Sequence, residues 1–187
     1  DVAPDGQCYA VLVRSPHAHA KIRAIDAAAA LAAPGVLAVY TGEDFAASGL
    51  GPIPCSVPRQ KPDGSPMFTP PNMALRTGRV RLVGDYVAFV VAETVDQAKD
   101  AAERIAVEYQ PLAAVTDTDT VRDAGSAVLW EECPDNESFV FSQGDKQAVD
   151  AAFARADHVT ELRIAFNRLL RQCQHGYCCS RPVRLIV

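Results

Sequence analysis

The chain has 187 residues, 49% of them hydrophobic and 22% charged, enough for one domain with a real core. Its net charge of −5, with no basic stripe, excludes an electrostatic footprint for nucleic acid or an anionic membrane. No apolar run approaches the roughly 20 residues of a membrane span, and no basic, then apolar, leader follows Asp1.

Cys8–Arg14 and Ala20–Ile25 have the pattern of strands, separated by the turn-forming Ser15-Pro16-His17. Asp26 suits the N-cap of an alanine-rich helix over Ala27–Ala33, which Pro34-Gly35 ends. Val36–Thr41 returns as a strand. From Ser48 to Thr77 seven prolines, from Pro52 to Pro71, leave no room for a ladder or a helix.

Arg79–Tyr109 reads strand, helix, strand. Val87–Ala92 is an unbroken apolar run, as in a strand covered on both faces. Thr94 with Gln97 forms a capping box, opening a helix to Ile105 whose stripe is Val95, Ala98, Ala101, Ala102 and Ile105. After Tyr109 comes a Thr/Asp-rich connector with a short helix predicted at Asp119–Asp123. Gly144-Asp145 opens a further helix with an apolar face of Ala148, Val149, Ala152, Phe153 and Ala156, and His158–Leu170 begins a strand.

Four constellations could carry chemistry. His17 and His19 would share a side if extended, but a metal site needs further ligands, and none stands at ligand spacing. Turn hydrogen bonding explains them better. Asp96 and Asp100, with Glu103 and Glu108 beyond, lie opposite the apolar stripe and interleave with Lys99 and Arg104, as on a solvated face. Gly49-Leu50-Gly51 precedes a proline and no helix, so it cannot offer a helix N-terminus to phosphate. Cys173, His175, Cys178 and Cys179 mimic a zinc or iron–sulfur set. Adjacent cysteines cannot easily both face one tetrahedral ion, however, and no second half-site follows. Six cysteines, three of them within 173–179, do not form a disulfide framework in a chain of this size, so a reducing, cytoplasmic location is expected.

RSPHAHAKIRAID (Arg14–Asp26), PGVLAVYTGEDF (Pro34–Phe45) and Arg79–Tyr109 together resemble the N-terminal α/β hammerhead domain of the molybdenum hydroxylases. These are the large, cofactor-bearing subunits of carbon monoxide dehydrogenase-like, xanthine dehydrogenase-like and aldehyde oxidase-like enzymes. The resemblance covers about residues 1–170 and implies an α+β or α/β fold with a mixed sheet and packed helices. It implies a parent oxidoreductase that hydroxylates a small substrate with water-derived oxygen and passes electrons to iron–sulfur and flavin subunits or domains. In the family the molybdenum–pterin cofactor and the assisting glutamate sit C-terminal to the hammerhead. No catalytic, cofactor-binding or metal residue is therefore expected here, and the substrate is not legible. Asp1-Val2 resembles the end of the segment that opens such subunits, and Gly49–Cys55 (GLGPIPC) resembles the carbon monoxide dehydrogenase-like branch.

RIAFNRLL fits the family, whereas RQCQHGYCCSRPVRLIV does not, so residues 171–187 read as a frameshift- or vector-derived tail. The leading expectation is an N-terminal fragment of such a large subunit, inactive alone, whose partners are the subunit's own cofactor domains and the iron–sulfur and flavin subunits. The alternative is a standalone, non-catalytic adaptor with the hammerhead fold. The apolar residues of Ser48–Thr77 either fold back onto their own domain or pack on another part of the parent complex. The second version predicts mobility or self-association of the isolated chain.

Overall fold

The apolar run at Val87–Ala92 becomes the central strand of a small sheet, and the rest of the architecture follows from what covers its two faces. The computed structural model describes residues 4–165 and 180–186. The chain divides into two units, Asp1–Ser56 with Pro70–Ala114 and Val57–Thr69 with Val115–Val187. In the first unit β1 (Tyr9–Arg14), β2 (Ala20–Asp26), α1 (Ala28–Leu31), β3 (Val36–Thr41) and α2 (Gly42–Ala47) come before the proline-rich segment. Beyond it lie β4 (Arg79–Val80), β5 (Tyr86–Ala92), α3 (Val95–Glu103) and β6 (Ala106–Pro111). The second unit carries α4 (Lys146–Arg155), β7 (Val159–Ala165) and β8 (Ser180–Ile186).

The α/β class is as expected, but the single mixed sheet is corrected. The described strands form three sheets, ordered β1-β5-β3, β4-β2-β6 and β7-β8. Every pair in them is antiparallel. β1 and β3 run in the same direction, yet β5 lies between them, with Val90 opposite both Val11 and Val39, so no parallel ladder forms. Burial on both faces was a correct reading of β5. Ala88 and Val90 join Ala30, Ala101 and Ile105 in one core cluster, while Val87 joins Ala20 and Val80 in another. Alternate residues of a strand point to opposite faces, so one strand serves both clusters. Such burial does not specify strand direction, and the mixed sheet that the family resemblance implied is not found among the described strands.

The start of α3 is as the sequence predicts. The Gln97 N–H donates to Thr94 Oγ1 at 3.2 Å and the Thr94 N–H donates to Gln97 Oε1 at 3.0 Å. Ala98 and Ala101 are fully buried, Ala102 is half-buried against the same cluster, and Val95 is exposed, which narrows the predicted stripe. α1 is shorter than the predicted Ala27–Ala33, because Pro34 drives the residue before it out of the helical region. Asp26 Oδ1 does accept from the Ala28 N–H at 2.9 Å. Gly35, at φ 74°, then turns the chain toward β3 where a Cβ would lie 2.2 Å from the Gln97 side chain.

Three local readings are corrected. α2 was not foreseen, although Thr41 and Asp44 form a capping box that starts it. The predicted helix at Asp119–Asp123 is a pair of turns, in which Asp123 N–H donates to Thr120 O and Ser126 N–H to Asp123 O, each at 3.0 Å. A segment that short cannot offset the cost of helix nucleation, and Asp117 Oδ1 draws off the Asp119 N–H instead. The proline-rich segment is also less irregular than predicted. Gln60 pairs with Pro66, and Met67 N–H donates to Arg59 O at 3.0 Å, across a turn at Pro62-Asp63-Gly64. The prolines fall where no ladder N–H is needed. The expected strand over His158–Leu170 is β7, and its residues 166–170 lie outside the described ones.

Candidate functional site

The two histidines are held apart in role by their neighbours. His19 is buried, with Nδ1 2.7 Å from the Ala113 carbonyl, a geometry in which Nδ1 carries the proton and donates. Its Nε2 is buried with no hydrogen-bond partner among the described residues. His17 is half-buried with its ring 4.8 Å from that of Tyr109, and its N–H donates to Ser15 Oγ at 3.1 Å. Burial pushes the Tyr109 hydroxyl up from its ordinary pKa, against a smaller lowering by its hydrogen bond with Ser15. This group ties the β1–β2 turn to β6. It is a packed polar joint, with Ser15 too deeply buried to meet a substrate.

Asp96, Asp100, Glu103 and Glu108 are exposed, and Asp96 stands 3.8 Å from Lys99 across one turn. No pocket wall separates these carboxylates, so nothing sets one apart as an acid and another as a base. Gly49, at φ 73°, closes the C-terminus of α2 by donating its N–H to Ala46 O at 3.0 Å. Cys173, His175, Cys178 and Cys179 lie outside the described residues.

Two polar centres escaped the sequence reading. Asp85 is buried and takes Arg76 Nε at 2.9 Å, Arg81 N–H at 2.8 Å and Leu82 N–H at 3.1 Å. The Gly84-Asp85 turn signal was present in the sequence, but the arginine was not assignable to it. Cys133, in the second unit, is buried and its thiol is pushed up, chiefly by that burial and then by Asp135. It is a protonated, poorly nucleophilic thiol. Among the described residues no three His, Cys, Asp or Glu side chains are grouped to hold a metal ion. None of their helices is long and apolar enough to cross a membrane.

Residues 1–113 match the family described as "Aldehyde oxidase and xanthine dehydrogenase, a/b hammerhead domain", a span that takes in nearly all of the first unit and Val57–Thr69 of the second. The chain belongs to this family. It is 31% identical to the carbon monoxide dehydrogenase large chain of Afipia carboxidovorans, over 93% of this chain and 22% of that one. It is 32% identical to the xanthine dehydrogenase molybdenum-binding subunit of Escherichia coli O157:H7, over 81% of this chain and 20% of that one. The crystal structure of quinoline 2-oxidoreductase from Pseudomonas putida 86 superposes with a TM-score of 0.71 at 32% identity, covering 88% of this chain and 20% of that one. The hammerhead chain thus spans about one fifth of the relatives it matches.

A molybdenum cofactor, suggested by the Escherichia coli relative's name, finds no donor set in the described part of this hammerhead chain. His19 gives Nδ1 to a backbone carbonyl, its buried Nε2 belongs to no cluster of metal-ligating side chains, and the carboxylates of α3 are solvated. The residues described do not fit that group.

Proposed function

We propose that this chain is the N-terminal part of the molybdenum-cofactor-bearing large subunit of a carbon monoxide dehydrogenase-like or xanthine dehydrogenase-like oxidoreductase. The parent hydroxylates a small substrate with oxygen from water and passes electrons to iron–sulfur and flavin partners. The observation that carries this reading is the hammerhead match over residues 1–113 in a chain that covers only 22% of a carbon monoxide dehydrogenase large chain. On this reading the segment is a structural element with no catalytic, cofactor or metal residue of its own. It works in a bacterial cytoplasm, and residues 171–187 are foreign to the family. The doubly covered strand β5 and the Asp85–Arg76 clamp give the first unit a packed base on which the cofactor domains can rest.

The test has two parts. Reading the gene past codon 170 is expected to show a frame several times the length of this chain, in family sequence. Metal analysis of the purified 187-residue chain is expected to show no molybdenum and no hydroxylase activity, with both present in the complete subunit assembled with its partners. Stoichiometric molybdenum in the short chain would overturn the scaffold reading, and a frame that stops at codon 187 would favour a standalone adaptor.

A further inference from the structure

The helix α4 is well specified and poorly housed. Asp145 caps it, accepting from the Ala148 N–H at 2.9 Å, and Lys146 pairs with Asp150 at 2.5 Å on its polar side. Val149, Ala152, Phe153 and Ala156 recur on the other side at helical spacing. Yet no residue of α4 is buried, and Val149 is 50% exposed. The helix makes no extensive contact with any other helix or strand. Around it Phe141, Val159 and Leu162 are exposed as well. In the whole second unit Cys133 is the one hydrophobic residue that is buried among those described, whereas the first unit holds every other. A ten-residue helix is shorter than the roughly 12–15 residues at which an isolated helix becomes even marginal in water. It needs a partner surface.

We propose that the Val149/Phe153 face of α4 is a docking surface for the polypeptide that follows this segment in the complete subunit. This rests on the reading of the chain as the start of a longer subunit. Two facts select that occupant. The family match ends at residue 113, so α4 lies beyond the matched hammerhead, and the two core clusters within the match are made without it. Relatives of this chain are more than four times as long, as its 20–22% coverage of them requires, so apolar chain is available to cover α4. The part of the chain from Val115 through α4 is then the opening of a following domain, and its helix waits for a core that later sequence supplies.

Amide hydrogen exchange on the 187-residue chain and on the subunit encoded by the complete gene tests this. In the short chain, amides of Val149–Arg155 are expected to exchange nearly as in an unfolded peptide, while those of Val87–Ala92 stay protected. In the complete subunit the α4 amides are expected to gain about 100-fold protection or more, and Val149→Asp is expected to abolish that gain. Protection of α4 in the short chain at every dilution would overturn the proposal by showing a core of its own. Protection that rises with concentration would overturn it in favour of a second copy. A complete subunit that carries molybdenum but leaves α4 unprotected would overturn the docking surface while leaving the large-subunit reading intact. A gene that ends at codon 187 would sink both.

Discussion

β5 and α4 are both apolar stretches of regular spacing, each started by an unambiguous local signal, and they end in opposite circumstances. Val87, Ala88, Val90 and Ala92 of β5 are wholly withdrawn from solvent, between the helices α1 and α3 on one face and the β4-β2-β6 sheet on the other. Val149 of α4 keeps half its surface in water, and Phe153 is only half-buried. Periodicity determines which element forms and which side of it is apolar; it does not say whether the covering surface lies within the same chain. Stability in this molecule is accordingly expected to be concentrated in the first unit, and substitutions of similar chemistry should have unequal effects in the two.

The largest effect should come from Ala101→Asp. Ala101 is fully buried in the cluster that α3 makes with β5, and a carboxylate there has no partner. A cost of about 4 kcal/mol or more is expected, sufficient to leave much of the first unit unfolded. Ala102→Asp should cost clearly less, since Ala102 is half-buried and its new charge can reach water. Urea unfolding followed by circular dichroism checks both. Equal effects at the two positions would mean that α3 turns a different face to the sheet.

Asp85→Ala comes next, at roughly 3 kcal/mol, because it leaves the Arg76 guanidinium and the Arg81 and Leu82 N–H groups without their acceptor. Asp85→Asn should recover part of that loss, keeping an oxygen for the backbone donors while removing the charge. If Asn were as damaging as Ala, the ion pair rather than the N–H contacts would be the main support of the turn. Gly35→Ala should cost about 2 kcal/mol, combining a left-handed backbone with displacement of the Gln97 side chain from the capping box. Thr94→Ala, which removes only the cap, should cost about 1 kcal/mol. A double variant whose loss is smaller than the sum would show that the two residues act through the same cap.

What the sequence disclosed follows the range of the interactions. Thr94 and Gln97 are three residues apart, and their reciprocal bonds are legible from the sequence alone. The same local logic was available at Thr41 and Asp44, also three residues apart, and was overlooked. The ladder directions, the Arg76–Asp85 pair and the fate of His19 depend on partners that no spacing reveals. His19 in particular answers to Ala113, 94 residues away. Phe68 is similar: its N–H donates to Ser138 O at 3.1 Å, and its ring lies 6.0 Å from that of Trp130. Of the two expectations for the proline-rich segment, folding back thus holds for Met67 and Phe68, whereas Leu50, Ile53 and Val57 remain exposed. Family membership was the most legible property, since it rests on short runs of sequence and on no long-range geometry.

The smallest effect is the one that separates the two units most sharply. Phe153→Asp places a charge on the apolar side of α4, a change that in β5 would be ruinous. Here the ring is only half-buried and the helix makes no extensive contact with another helix or strand, so little apolar contact is lost and the carboxylate stays hydrated. The expected cost to urea unfolding of the 187-residue chain is under about 0.5 kcal/mol, the range of ordinary surface substitutions. Val90→Asp, its counterpart in the buried strand, should by the same measurement prevent cooperative folding of the first unit. Loss of more than about 2 kcal/mol from Phe153→Asp would mean that the second unit has a core its exposed side chains do not reveal. The contrast between β5 and α4 would then be one of degree, and the helix would need no further chain to hold it.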